Sequence, residues 1–338
     1  MSETQDQAEI FGGGATALRD SRSFDGNDVS AIPAFVFGEE LADLADLDPR
    51  IAVLTADLAS ANRATDFAAR HPDRFFNMGI AEKGMITTAA GIASCGYVPF
   101  AATFASFSAL LCAEQIRTSC AYPRMPVRIV GHHSGMSMGF YGTSHHALED
   151  LGILRTFAEL TVVCATDANH LRAVLRASVD HPGAMYIRLG RGRDPEVYPE
   201  IPKITFGKAV RLREGTDLTI IATGSEVRPS LDAAEQLAME GITTRVVDMH
   251  TISPLDVEEV FAAYHETDAI LTVEEHNVTN GLGTAVAEAL FEGGAGRVKF
   301  RRHGVPDEYV PVGPPAALYA KYQLDAAGIA TVAKELLA

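Results

Sequence analysis

Strand-length apolar runs alternate with helical segments along most of this chain, and that alternation constrains its fold more than any other feature. The first series reads IAVLTA (Ile51–Ala56), VPFAATF (Val98–Phe104), VRIVG (Val127–Gly131), TVVCAT (Thr161–Thr166) and AMYIRLG (Ala184–Gly190). Stretches such as ATDFAARH and ANHLRAVLRASV lie between them. Unbroken apolar strands separated by helices predict a parallel sheet covered on both faces. RGRDPEVYPEIPKITFGKA, from Arg191, then interrupts the pattern with three prolines and mixed charges, as an interdomain linker does. A second series follows: DLTIIATG (Asp217–Gly224), TTRVVDMH (Thr243–His250), AILTVEEH (Ala269–His276) and VKFRRHGV (Val298–Val305). Its helices include VRPSLDAAEQLAMEG, which Gly241 closes. The expectation is an α/β chain of two doubly wound domains, a mostly parallel one over residues 31–195 and a smaller one over residues 204–338. Residues 1–30 carry no periodicity and are expected to form a flexible tail.

Length and composition agree with two self-contained cores. At roughly 100–200 residues per domain, 338 residues make two domains, and 47% apolar against 21% charged residues is ordinary for a globular protein. Asp and Glu outnumber Lys and Arg by 44 to 28, a net charge of −16 that argues against nucleic acid or an anionic membrane as partner. No apolar run is long enough to span a bilayer, and MSETQDQAEI lacks the basic and apolar regions of a secretion signal. A cytoplasmic location is therefore expected. Cys95, Cys112, Cys120 and Cys164 form no CxxC pair and read as buried free thiols.

Four segments can carry chemistry. In RFFNMGIAEKGMITTAAGIASCG (Arg74–Gly96) a short strand ends at Gly79 and a helix starts at Ile80, with Glu82 in its first turn. The rest of that helix is apolar or tiny, as expected for close packing against another backbone. A carboxylate there fits either proton exchange with a ligand or capping of exposed helix amides. GHHSGMSMGFYGTSHHALED (Gly131–Asp150) follows a strand directly and holds four glycines and four histidines. A Gly-rich loop at a strand's carboxyl end is where open α/β sheets bind ligands. Adjacent histidines in extended chain point opposite ways, and no third ligand follows at metal spacing, so hydrogen bonding to a polar substrate is favoured over zinc. Thr143 or Ser144 is placed to cap a helix over HALEDLGILR. Arg188, Arg191 and Arg193 end a strand, where they fit an anionic ligand or an interdomain salt-bridge set. NGLGTAVAEAL, from Asn280, imitates a dinucleotide fingerprint, but its third small position is Val286 and its strand ends too early, so nicotinamide binding is rejected.

Taken in order, ADL (Ala56–Leu58), GIAEKGM (Gly79–Met85), TFASFSA (Thr103–Ala109), GTSHHALED (Gly142–Asp150), IRLGRG (Ile187–Gly192) and TGSEV (Thr223–Val227) resemble the transketolase family over almost the whole chain from Ala34. The resemblance is to the half that follows the diphosphate-binding domain. It implies a pyrimidine-binding domain, a transketolase C-terminal domain and thiamine diphosphate as cofactor. Glu82 matches the family's glutamate, which bonds a nitrogen of the cofactor's aminopyrimidine. Phe104 and Phe107 match aromatic positions that pack on the pyrimidine, Leu110 a position often held by Tyr, and Asp57 the ADL aspartate near the thiazolium. His133 and His145 match substrate-facing histidines, and Arg191 a donor to the sugar-phosphate group.

The departures bear on substrate. Tyr141 replaces the family's substrate-contacting Asp in the Gly-rich loop, Pro33–Ala34 replaces a phosphate-binding TR pair, and Ala61 replaces a serine. The carbanion chemistry is thus expected to persist with an altered pocket, one that fits a modified ketose, a sulfonated sugar or a non-sugar acceptor. The family's GDG segment, which holds diphosphate and Mg²⁺, is absent from this sequence. The resemblance therefore implies an N-terminal transketolase subunit as partner, an α2β2 heterotetramer and Mg²⁺ held by that partner, with no metal site in this chain. The alternatives are the β subunit of a 2-oxo-acid dehydrogenase component, against which SHHALED and IRLGRG speak, and a non-catalytic scaffold, against which Glu82 speaks.

Overall fold

The computed structural model describes residues 33–191 and 194–338. The expected tail over residues 1–30, and Arg193, lie outside the described residues.

The first domain runs α1 (Pro33–Leu47), β1 (Ile51–Thr55), α2 (Ala64–Arg70), β2 (Phe75–Asn77), α3 (Glu82–Ser94), β3 (Val98–Phe104), α4 (Cys112–Gln115), β4 (Arg128–His132), α5 (Asp150–Leu154), β5 (Leu160–Cys164), α6 (Ala168–Ser178) and β6 (Ala184–Arg188). Helix α4 continues π-helical turns over Phe107–Leu111 and leads into others over Ile116–Ala121. The second domain runs β7 (Val210–Arg213), β8 (Leu218–Ala222), α7 (Val227–Met239), β9 (Thr244–Asp248), β10 (Thr251–Ser253), α8 (Val257–Glu266), β11 (Ala269–Asn277), α9 (Leu282–Glu292), β12 (Lys299–Val305), α10 (Pro315–Lys321) and α11 (Ala326–Leu337).

Strands β1, β3, β4, β5, β6, β8 and β9 are buried along nearly their whole length, which is why they read as unbroken apolar runs. The first sheet has the order β10-β5-β6-β4-β3-β1-β2 and the second β12-β11-β8-β9-β7. Among the described strands two pairings are antiparallel, β10 with β5 and β7 with β9. The sequence pattern missed both added strands, because each is short and takes its geometry from an edge already in place. Strand β10 lies in the second half of the chain yet completes the first domain's sheet, so the two domains share a sheet edge.

The Pro-rich segment is strapped down rather than free. Asp167 caps α6 by accepting the His170 amide, and its other oxygen accepts the Val197 and Tyr198 amides, each at 2.7 Å. The Tyr198 hydroxyl donates to Asp248 of β9.

Three local expectations need correction. Helix α3 begins at Glu82, not Ile80. No helix spans HALEDLGILR: a single 3-10 turn covers Gly142–Ser144 without a side-chain cap, and the helix waits until Asp150, because Ala147 is held in an isolated bridge with Gly135. Cys95 is exposed at the end of α3, whereas the other three thiols are buried. Gly241, at φ +84, lies just past α7 as expected.

Candidate functional site

The first sheet changes direction between β1 and β3, and the crevice outside the carboxyl ends of strands at such a point is where α/β sheets bind ligands. In the register of β3 with β4, Phe104 lies opposite His132, so both strands end at the same level. His133 follows at φ +56, in the left-handed region. That turn overturns the expectation that neighbouring histidines point opposite ways, which holds only for extended backbone. The His132 and His133 rings meet with centroids 4.8 Å apart.

Phe104 is the hub of the crevice. Its ring meets those of His132, His133, His145 and Phe107 at 5.1, 5.0, 5.5 and 5.5 Å, all edge to face. His145 also packs on Phe107 at 5.2 Å and on Tyr141 at 4.9 Å. Five residues singled out in sequence (Phe104, Phe107, His133, Tyr141 and His145) thus form one cluster. Burial pushes the His132 imidazole down to about 3, and lowers His145 from its ordinary value. Both rings are therefore neutral near pH 7. His146 is buried and makes none of these ring contacts.

Glu82 opens α3 and is only 8% exposed. The capping role is not what it performs: no side-chain cap bond exists at this helix start, and the carboxylate makes no hydrogen bond to the described residues. Beside it, the Cys112 thiol is pushed up to about 12 by burial and by the charge of Glu82. Asp57 follows β1 at φ +60, where its amide donates to Asn77 Oδ1 at 3.0 Å. Leu110 is half exposed on the π-helical turn. Arg191 donates a long bond, 3.5 Å, to the Ser137 carbonyl, and its segment is fixed by the His133 amide on the Gly190 carbonyl.

The second domain holds this loop in place. Glu275 of β11 is buried and accepts the Met136 amide at 2.8 Å, the Ser225 hydroxyl at 2.9 Å and the Tyr319 hydroxyl. A Cβ on Gly135, at φ +61, would meet the Glu275 carboxyl carbon at 1.9 Å, so this close approach requires glycine. Arg188 is likewise absorbed by structure: it donates to Asp150 at 2.7 Å and to the Ala147 and Glu275 carbonyls. Its ion pair lies within the first domain, and what crosses to the second is a hydrogen bond to the Glu275 backbone carbonyl, so the tie is structural but not the interdomain salt bridge expected from sequence. Glu274 accepts the Leu282 and Gly283 amides, so the α9 N-terminus that imitated a dinucleotide site is capped by the protein itself.

Sequence reading missed Asn62, His132 and Glu275 as parts of this site. The doublet GHH gave a signal for His132; nothing local marks Asn62 or Glu275, whose partners are distant in sequence. Among the described residues no group of three His, Cys, Asp or Glu is arranged to hold a metal, and no helix is long and apolar enough to cross a membrane.

Two mostly parallel-sheet domains, with a histidine and aromatic crevice at a sheet switch point, define a doubly wound α/β protein with a candidate ligand crevice. The chain belongs to the transketolase family: residues 34–195 match the transketolase pyrimidine binding domain and residues 207–329 the transketolase C-terminal domain. It is 38% identical to a subunit of the apulose-4-phosphate transketolase of Phocaeicola vulgatus, over 89% of this chain and 96% of that protein. It is also 38% identical to the 6-deoxy-6-sulfo-D-fructose transketolase subunit SqwH of a Clostridium species, over 88% and 91%. A solved split-gene transketolase, in an inactive β4 tetramer, superposes with a TM-score of 0.84 at 38% identity, covering 91% of this chain and 98% of that one.

Proposed function

We propose that this chain is the C-terminal subunit of a split transketolase, moving a two-carbon ketol unit from a ketose donor to an aldehyde acceptor. Glu82 carries the proposal: a withdrawn carboxylate that neither caps its helix nor bonds any described residue is placed for a ligand atom. The residues fit thiamine diphosphate, which when bound supplies a nucleophilic carbon for the transferred unit. Glu82 would exchange a proton with a pyrimidine nitrogen, and Phe104 and Phe107 would pack on that ring beside Leu110. Asp57 would lie toward the thiazolium. His133, His145 and Tyr141 would hold substrate oxygens, and Arg191 an acidic group.

The substrate is proposed to be a modified sugar. Tyr141 in place of an acidic residue supports this, as do the modified sugars named for the two curated relatives. Diphosphate and Mg²⁺ are proposed to be held by an N-terminal subunit in an α2β2 complex. The exposed stripe Gly84, Thr87 and Gly91 on α3 supports a close partner backbone, since a Cβ at Gly91 would meet no atom within 4 Å.

The test is reconstitution with that subunit and a panel of ketose donors and aldehyde acceptors, including phosphorylated and sulfonated ones. Ketol transfer is expected; decarboxylation of 2-oxo acids in its place would overturn the reading. Glu82→Gln is expected to lower turnover by about 10²–10⁴-fold while leaving the circular dichroism spectrum unchanged, and full activity in that variant would sink the assigned chemistry. In calorimetry the isolated chain is expected to bind thiamine diphosphate weakly; tight Mg²⁺-dependent binding would contradict the division of the site.

A further inference from the structure

His132 and His133 approach through their Nδ1 atoms at 2.6 Å. Two ring nitrogens so close share a single hydrogen, so one ring donates and the other accepts. The direction is decided one residue further back. Asn62 is buried, and its Oδ1 accepts the Ala64 amide at 3.0 Å. That bond fixes which end of the amide is oxygen. The Nδ2 group therefore faces His132 Nε2, at 3.4 Å. An amide NH₂ only donates, so His132 Nε2 carries no hydrogen. The His132 hydrogen then sits on Nδ1 and is donated to His133 Nδ1, which leaves the His133 hydrogen on Nε2. The opposite assignment would aim two donors at each other in a buried place, leaving one without an acceptor. The depressed pKa of His132 keeps it neutral, so the arrangement holds at neutral pH.

We propose that Asn62 and His132 are positioning residues that fix His133 in its Nε2–H tautomer, so that His133 meets the substrate as a hydrogen-bond donor to a carbonyl, hydroxyl or acid oxygen rather than as a proton acceptor. The role toward substrate rests on the reading of His133 as a substrate-facing residue; the tautomer does not. His133 packs against the same Phe104 ring as His145, so its ring lies in the same crevice.

The experiment is nitrogen NMR of imidazoles in the full-length chain, labelled with ¹⁵N-histidine, at neutral pH, with signals assigned by His132→Phe and His133→Phe. The expected pattern is Nδ1–H for His132 and Nε2–H for His133. In Asn62→Asp the new carboxylate still accepts the Ala64 amide and also accepts from His132 Nε2. Both tautomers are therefore expected to invert. A wild-type His133 protonated at Nδ1, or tautomers unmoved by Asn62→Asp, would overturn the proposal. If Asn62→Asp fails to fold, His132→Phe decides: it keeps a ring and removes the donor, so His133 is expected to show a mixture of tautomers, and a pure Nε2–H form would count against the relay. Correct tautomers in a reconstituted complex without ketol transfer would leave the relay standing and remove the functional reading instead.

Discussion

Arg188 shows how one side chain can read as a ligand donor in sequence and act as a structural tie in space. It is 3% exposed, and its guanidinium joins Asp150 of its own domain to the Glu275 carbonyl of the other. Deleting one member of a buried pair leaves the other charge uncompensated, at a cost of about 3–5 kcal/mol. Arg188→Met is accordingly expected to lose that much in urea denaturation, and Arg188→Met with Asp150→Leu to recover part of it; a loss under about 1 kcal/mol for the single variant would contradict the assignment. Glu82 is the complementary case. Its position at a helix start was visible from the small, apolar residues that follow it, but that it does not cap the helix could be known only from coordinates. At His133 the period-two rule for neighbouring side chains fails, because one backbone angle lies in the left-handed region.

At the scale of elements, α3 is the segment with two demands on it. Its buried face, including Met85, Ile86, Ala89 and Ala93, belongs to the core, while Gly84, Thr87 and Gly91 face outward. Glycine within a helix costs about 0.5–1 kcal/mol relative to alanine, and the isolated chain offers nothing that requires it at Gly91. Gly91→Ala is therefore expected to raise the unfolding free energy of the isolated chain by about that amount. Gly91→Leu is expected to leave the chain folded but to block assembly with the N-terminal subunit, measured by size-exclusion chromatography. Normal assembly of Gly91→Leu would show that the partner docks elsewhere. The long apolar strands were legible as elements because burial on both faces leaves an unbroken signature. Strands β7 and β10 were not, since three or four residues bonded to an existing edge need no pattern of their own.

Polar groups buried in the crevice and where the domains meet set the response of the whole molecule to pH. Burial pushes His132 down to about 3 and His250 to about 4, and lowers His170 as well. Below about pH 6.5 the unfolded chain takes up protons at these sites and the native chain does not, so stability is lost on acidification, by up to about 1.4 kcal/mol per pH unit per histidine. Asp248, raised to about 7 by burial, acts in the opposite sense: between about pH 4 and 7 the native state holds a proton that the unfolded state has released. Urea midpoints are expected to fall from about pH 6.5 to about pH 4.5, and to fall more steeply in Asp248→Asn, which removes the opposing group. A flat profile in the wild type would refute this balance. By itself the sequence determined two α/β domains, their long buried strands, the family, and most residues of the crevice, because apolar burial and local motifs are written in consecutive residues. Tertiary structure decided the shared sheet edge, the capture of the Gly-rich loop by Glu275, the fate of Arg188 and the convergence of His132 with His133. Each of these depends on groups brought together across the sheet or on a single dihedral angle, and neither leaves a periodic trace along the chain.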